Sequence, residues 1–473
     1  MKFISIQHAC IHNLKDVSVK IPLNKLVAVV GPSGSGKTSL IYDVLYKASE
    51  GNKVDCSISK IPKTLAIGQK VTVPKNIKLS LGEYNLQLLD KTIKQLKKDN
   101  LLIVDESCAG LGIEESQVVL RKLKQLIKKG ISVIAIEHSK EIITGADHII
   151  EFGPKSGKYG GEITFEGSLN QFKKSKSITA DYIFSDKASN IDYKREPSAK
   201  AKSMQKKSVT LQGINKNNFK NFTLKFPLGS LVCITGKTGS GKTTLLNTTY
   251  SSLYKGRDAW KIRDEFGTAK KIIGKENIRR SYMVEQTPIG DHPTSRPVTY
   301  LSIWDNIRDI YTNLPSAKKL RLKKSDFIVT KQILDGDGEF SSKILSVKFK
   351  GKNINDLLGS TIEESLDIFS DSALIKRKLG FLQEVGLGYL TLGQKSDSLS
   401  GGEAQRVRLA KVLSKKLSDR CIYILDTPTK GLHLSNLPTL ITVLQKIIDK
   451  NNTVLVASNK TEVINNSDFV INL

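Results

Sequence analysis

The stretch KLVAVVGPSGSGKTSL, Lys25–Leu40, returns in the second half of the chain as SLVCITGKTGSGKTTL, Ser230–Leu245. Each copy is an apolar run that reads as a buried strand, then a glycine-rich loop closing on Lys-Thr, then the start of a helix. Strand, glycine loop and helix together are the context in which such a loop wraps a chain of phosphates. Glycines let backbone N–H groups point inward, and the helix N-terminus adds the positive end of its dipole. In the first loop Gly31, Gly34, Ser35, Gly36 and Ser39 would cradle the phosphates, Lys37 would reach the outer ones and Thr38 would ligate Mg²⁺. In the second loop Gly236, Gly239, Ser240, Gly241 and Thr244 form the cradle, with Lys242 and Thr243 in the two special roles.

The repeat extends beyond the loops. VTLQGINKNNFKNFTLKFPLGSLVCITGKTGSGKTTLLN, Val209–Asn247, follows HNLKDVSVKIPLNKLVAVVGPSGSGKTSL, His12–Leu40, element by element. The alternation from Phe3 to Ile21 suits a hairpin of strands. After the first loop, NLLIVDES, a helix near 114–129, ISVIAIEHS and HIIEFGPKSG alternate strand with helix, which predicts a largely parallel sheet covered by helices. The fold class is therefore α/β, with two similar units in tandem. Residues 1–185 form the first unit, 186–207 a polar, lysine-rich linker expected to be poorly ordered, and 208–473 the second.

Composition narrows the setting. The chain of 473 residues is 39% hydrophobic and 25% charged, which is globular. No apolar run approaches the roughly 20 residues needed to cross a bilayer, and no signal peptide opens the chain, so the expected location is cytoplasmic, with no membrane partner. The five cysteines, Cys10, Cys56, Cys108, Cys233 and Cys421, include no C-x-x-C pair, which argues against a sequence-local zinc module and for buried reduced thiols. A formal net charge of +28 attracts polyanions, nucleic acid first. Most of that excess is lysine, and Lys, Asn and Ile abound together, a bias that also arises without a polyanion partner.

Two further pairs of residues complete the magnesium chemistry. Asp105 and Asp426 each end an apolar strand and are the expected Mg²⁺ partners, while Gln69 and Gln286 suit a loop that contacts metal and water. The stretch LSGGEAQRVRLA, Leu399–Ala410, holds no phosphate loop and no evident acid catalyst. Its damaged counterpart is LSLGE, Leu79–Glu83. Spacing supports the alignment: Glu83 precedes Asp105 by 22 positions and Glu403 precedes Asp426 by 23. The interval from Thr38 to Leu79 is 41 positions and that from Thr243 to Leu399 is 156, so residues 244–398 have room for a helical subdomain that the first half lacks.

Tandem loops with LSGGEAQRVRLA resemble the ATP-binding cassette (ABC) ATPases, and more narrowly the UvrA family of DNA-repair excinuclease subunits. The narrower resemblance rests on IHNLKDVSVKIP, NNFKNFTLKFP, EQTPIGDHPTSRPVTY around Gln286, LGFLQEVGLGYLTLGQ before the signature and FGPKSGKYGGEITFEGS after the first cassette. It implies that two cassettes close head to tail, each ATP lying between one loop and the other cassette's signature. The first site then combines Lys37, Thr38, Gln69, Asp105, Glu106 and His138 with Ser400, Gly401, Gly402 and Glu403. Glu106 would orient or deprotonate the attacking water, and His138 would contact the γ-phosphate. The second site pairs Lys242, Thr243, Gln286 and Asp426 with Ser80 and Gly82, and has Thr427 and Asn459 where the glutamate and histidine are expected. It should bind ATP and hydrolyse it poorly.

The resemblance also implies cofactors and partners. ATP and Mg²⁺ are expected, zinc is not, and KQILDGDGEF at Lys331–Phe340 stands without a cysteine where a zinc hairpin would be. Double-stranded DNA is the expected partner, in excision repair or in protection against DNA-directed drugs, with Arg279, Arg280, Arg296 and Arg308 as candidate phosphate contacts. A protein partner or a homodimer stays open. The competing readings are a ribosome-associated ABC-F factor, against which the short linker and Thr427 speak, and the energising subunit of a membrane transporter.

Overall fold

A computed structural model of the chain describes residues 2–68, 81–108, 110–184, 203–284, 289–290, 294–330, 333, 340–399, 401–414 and 418–473. The chain forms two compact units, Met1–Met283 with Arg420–Leu473, and Val284–Asp419.

The larger unit carries both phosphate loops, each on its own sheet. Strands β1 (Phe3–Ala9) and β2 (Val17–Pro22) pair antiparallel, as their alternation predicts, and β4 (Ser57–Ile58) adds to β1. The main sheet of the first half orders β5 (Thr64–Ile67), β6 (Leu101–Asp105), β7 (Ser132–Ile136), β3 (Leu26–Val30), β8 (His148–Gly153) and β9 (Glu162–Gly167). All its pairings are parallel except that of β8 with β9. Every residue of β3, β6 and β7 is buried, because a parallel sheet covered on both faces has no solvent side for a polar residue to occupy.

The second half repeats the plan. Strands β10 (Ser208–Lys216), β11 (Phe219–Pro227) and β13 (Lys271–Ile273) form the antiparallel layer. The main sheet orders β14 (Arg280–Val284), β15 (Cys421–Asp426), β16 (Thr453–Ala457), β12 (Leu231–Thr235) and β17 (Phe469–Asn472). Each half has its own core, the first built around Ile4, Val29, Leu40, Ile103 and Phe152, the second around Leu211, Phe226, Leu245, Ile424 and Leu455. In both sheets the strand feeding the loop sits between two parallel neighbours, which places the loop at the carboxyl edge where ligands of open α/β sheets bind.

The helix Ile113–Lys128 shows how one face is anchored. Ser116, Val119, Leu123 and Leu126 recur at helical spacing and are buried, while Glu115 in the first turn accepts the Gly112 N–H at 2.7 Å and so closes the helix start. The helix behind the first loop winds as a π-helix over Ser39–Tyr46 before turning α over Lys47–Ser49, which nothing in its sequence signals.

The unit Val284–Asp419 is mainly helices and turns in its described residues, with two isolated β-bridges. Its helices include Trp304–Asn313, Ile362–Ile368, Ala373–Glu384 and Gly401–Ser414. Tyr311, Phe327, Phe349 and Phe369 make a chain of ring contacts through its core.

Two expectations need correction or a limit. Cys108, Cys233 and Cys421 are buried cysteines outside any disulfide, but Cys10 is exposed and Cys56 is partly so, because Cys10 lies just after β1 where strand alternation no longer decides burial. Most of the expected linker, 186–202, lies outside the described residues, and its end folds: Ser203–Gln205 is helical with Met204 buried. No helix among the described residues is long and apolar enough to cross a membrane.

Candidate nucleotide sites

The first loop follows β3 without a break. Gly31 has a φ of 126°, and a Cβ there would lie 2.1 Å from the Phe152 carbonyl oxygen on β8, so only glycine lets the loop leave the sheet at that point. Lys37 folds back over the loop, its Nζ donating to the carbonyls of Gly31 and Pro32, both at 2.7 Å. Asn13 clamps the loop from outside, donating to the Gly34 and Gly157 carbonyls at 3.1 Å. At the end of β6, burial holds the Asp105 carboxyl well above the usual range; Glu106 and Glu137 push the same way, and the Lys37 ammonium opposes them.

Glu106 is buried and sits in the left-handed region at a φ of 50°, with its N–H donating to Ile136 on β7 at 2.9 Å. His138, just past β7, meets His433 edge to face at 5.5 Å between ring centroids. The structure thus gathers Lys37, Asp105, Glu106 and His138 at one sheet edge, and it adds three residues of the second half that sequence reasoning did not single out. Gly431 accepts the Ser33 hydroxyl at 3.0 Å and faces Glu106 so closely that a Cβ would stand 3.2 Å from its Oε1. Lys430 lies near both Glu106 and Asp426; burial lowers its affinity for a proton and the two carboxylates raise it. His433 bonds Thr179 through Nε2 at 3.0 Å and stays neutral, its pKa lowered to about 3 by burial and then by Lys37. The signal was available in TPTKGLH, Thr427–His433, which follows Asp426 as ESCAGLG follows Asp105.

The second loop differs in what surrounds it. Lys242 folds back as Lys37 does, donating to Gly236 at 2.6 Å and Lys237 at 2.8 Å. Thr243 donates to Asp426 at 2.7 Å, so the hydroxyl and carboxylate expected at magnesium already converge. Thr427 occupies the place of Glu106, with a φ of 48° and its N–H donating to Ala457 on β16 at 3.1 Å. Its side chain carries no carboxylate; its hydroxyl donates to Asp426 at 3.0 Å. Asn459, in the place of His138, accepts from the Thr235 hydroxyl at 3.1 Å and the Gly236 N–H at 3.2 Å. Across the loop, Gly82 and Glu83 at the start of the helix Leu81–Ile93 press on Thr238 and Gly239, and Glu115 accepts the Thr238 N–H at 2.9 Å. One cavity is lined by Glu106, Glu137 and His138 of the first half and by Lys242, Lys430 and Asn459 of the second.

Several expected residues fall elsewhere. Gln69, Leu79, Ser80, Gln286 and Ser400 lie outside the described residues, as does Lys331–Phe340 apart from Ile333 and Phe340. Gly401, Gly402 and Glu403 open the helix Gly401–Ser414 in the helical unit, where the Tyr389 hydroxyl donates to Glu403. Arg279 and Arg280 are exposed. Arg296 is 2% exposed and packs its guanidinium 4.7 Å over the Trp304 ring, and Arg308 is engaged by Asp305, so the first is core and the second is ion-paired.

Two largely parallel sheets, each with a phosphate loop, a strand-end aspartate and a facing loop from the opposite half, define an ABC ATPase. The ABC transporter family matches residues 219–430. The UvrABC system protein A of Aquifex aeolicus is 36% identical over 93% of this chain and 50% of its own length, and that of Clostridium tetani is 36% identical over 79% and 42%. UvrA2 of Deinococcus radiodurans shares the fold with a TM-score of 0.83 at 21% identity, covering 99% of this chain and 95% of its own. The chain is UvrA-like over most of its length, and it spans about half the length of the curated relatives it matches.

Proposed function

We propose that this chain is a UvrA-like ATPase that grips double-stranded DNA under the control of ATP, with one hydrolysing and one retaining nucleotide site. The observation that carries the asymmetry is the matched placement of Glu106 and Thr427, same backbone conformation and same backbone bond, with a carboxylate at one and a hydroxyl at the other. At the first site Lys37 binds the outer phosphates and Glu106 holds the attacking water and takes its proton, while His138 contacts the γ-phosphate. The buried acids around Asp105 fit a hard cation, which Thr38 and Asp105 would hold at the first site and Thr243 and Asp426 at the second. That ion supplies charge neutralisation of the phosphates. Gly82 adjoins the second loop at Thr238 and belongs to the second site in this reading.

Turnover in Glu106→Gln set beside Lys242→Ala tests the asymmetry. Hydrolysis that survives Glu106→Gln overturns it.

The formal charge of +28 and the exposed Arg279 and Arg280 support the DNA partner, in excision repair or protection against DNA-directed drugs. Duplex affinity titrated against salt checks this: log affinity should fall linearly with log salt, and Arg279→Ala with Arg280→Ala should lower the slope by about 2. A salt-independent affinity rejects a phosphate-dominated grip.

A further inference from the structure

The two phosphate loops face opposite halves that differ in charge at one position. Counted from the magnesium aspartates, Glu115 stands ten residues past Asp105, and the same place past Asp426 is Asn436. Glu115 reaches the second loop. Its Oε1 accepts the Thr238 N–H at 2.9 Å, its Oε2 accepts the Thr238 hydroxyl, and it accounts for part of the field on Lys242. Glu83 adds a second carboxylate, packed so that a Cβ on Gly239 would lie 2.5 Å from its Oε1. At the first loop the matching residue, Ser33, gives its hydroxyl to the uncharged carbonyl of Gly431.

A phosphate loop is built to present N–H groups to an anion, and at Thr238 such a group already holds a carboxylate. We propose that Glu115 is the resident anion of the second phosphate loop, a residue that sets nucleotide affinity there by holding Thr238 until nucleotide phosphates displace it. Displacement is opposed twice: the incoming polyphosphate and the carboxylate repel, and the loop must exchange one set of charge-assisted bonds for another. Capping does not explain the contact. Glu115 satisfies its helix through Gly112 with Oε2, and Oε1 is directed at the loop of the other half.

The inference rests on the second site being a nucleotide-binding site. Its test reads binding at equilibrium, so it stands apart from whether that site hydrolyses. In the full chain carrying Lys37→Ala to silence the first loop, a slowly hydrolysed ATP analogue, ATPγS, is titrated against Glu115→Gln. Glutamine keeps the acceptor for Gly112 and removes the charge, so affinity should tighten about tenfold. Glu83→Gln, whose carboxylate packs against Gly239, should tighten binding as well, since it also removes a negative charge from beside the loop. Thr238→Ala loosens the same contact from the loop side without touching the helix, and should tighten binding about twofold. Unchanged or weaker binding in both Glu115→Gln and Thr238→Ala, or no ATPγS binding at all, overturns the proposal.

Discussion

Both phosphate loops are made alike and are surrounded differently. Each follows a buried strand, each folds its lysine back onto its own carbonyls, and each is followed by a strand whose terminal aspartate lies beside a residue at a φ near 50°. The first loop faces a neutral imidazole and a backbone carbonyl, His433 and Gly431, while its own acids Asp105, Glu106 and Glu137 are buried together. The second faces Glu115, whose counterpart by position is Asn436, and its own side offers Thr427 and Asn459. In the proposed reading, acid concentrated behind the first loop serves turnover, and acid facing the second loop opposes the entry of phosphates. Duplicated architecture thus constrains the backbone closely and leaves the chemistry of each copy to a handful of side chains.

The largest effect that would break this comparison is on hydrolysis. Removing the Glu106 carboxylate should cost on the order of 10²–10⁴ in turnover, the range for loss of a positioned general base. Lys242→Ala should cost far less if the second site contributes little. Equal losses in the two variants, measured as phosphate release at saturating ATP, would show two working sites and end the contrast.

A smaller effect follows from His433, which has Gly112 as its counterpart. Its pKa is about 3 in the folded chain against 6.5 when unfolded. Between those values the unfolded chain binds a proton that the folded one does not, so stability falls as pH drops from 6.5 towards 3, and is fully present above 6.5. The slope approaches about 1.4 kcal/mol per pH unit. Between pH 7 and pH 5, urea unfolding should lose roughly 2 kcal/mol more in the native chain than in His433→Gln. Parallel losses would place the acid sensitivity elsewhere.

Much of this arrangement is legible in the sequence, and the boundary has a physical cause. LVAVV, LLIVD and TVLVA declare themselves because strands buried on both faces tolerate no polar residue, and the loops declare themselves because their chemistry is local in the chain. Glu106 and Thr427 could be matched for the same reason, each adjoining a strand-end aspartate. Glu115 could not: its capping role is local, but its partner Thr238 is 123 residues away. His433 meets Thr179 across 254 residues, and Ser33 meets Gly431 across 398. Arg296 misled for a related reason, since a guanidinium reads as surface until an aromatic face such as Trp304 is brought over it.

The finest comparison is between the two glycines that turn the facing loops. Gly110 and Gly431 both have positive φ, 82° and 64°, so alanine at either should cost about 1 kcal/mol of stability through backbone strain alone. Their surroundings differ. A Cβ at Gly110 finds its nearest neighbour, the Gly82 nitrogen, at 4.0 Å, whereas at Gly431 it meets the Glu106 carboxylate at 3.2 and 3.4 Å. Gly431→Ala should therefore displace the base of the first site and lower turnover several-fold beyond what its stability loss explains. Gly110→Ala, with the same strain and no base against it, should lower turnover less. Paired melting curves and ATPase rates read both quantities. If the two variants lose turnover alike at matched stability, Glu106 is not held where the contact with Gly431 puts it, and the distinction between the two loops must rest on Thr427 alone.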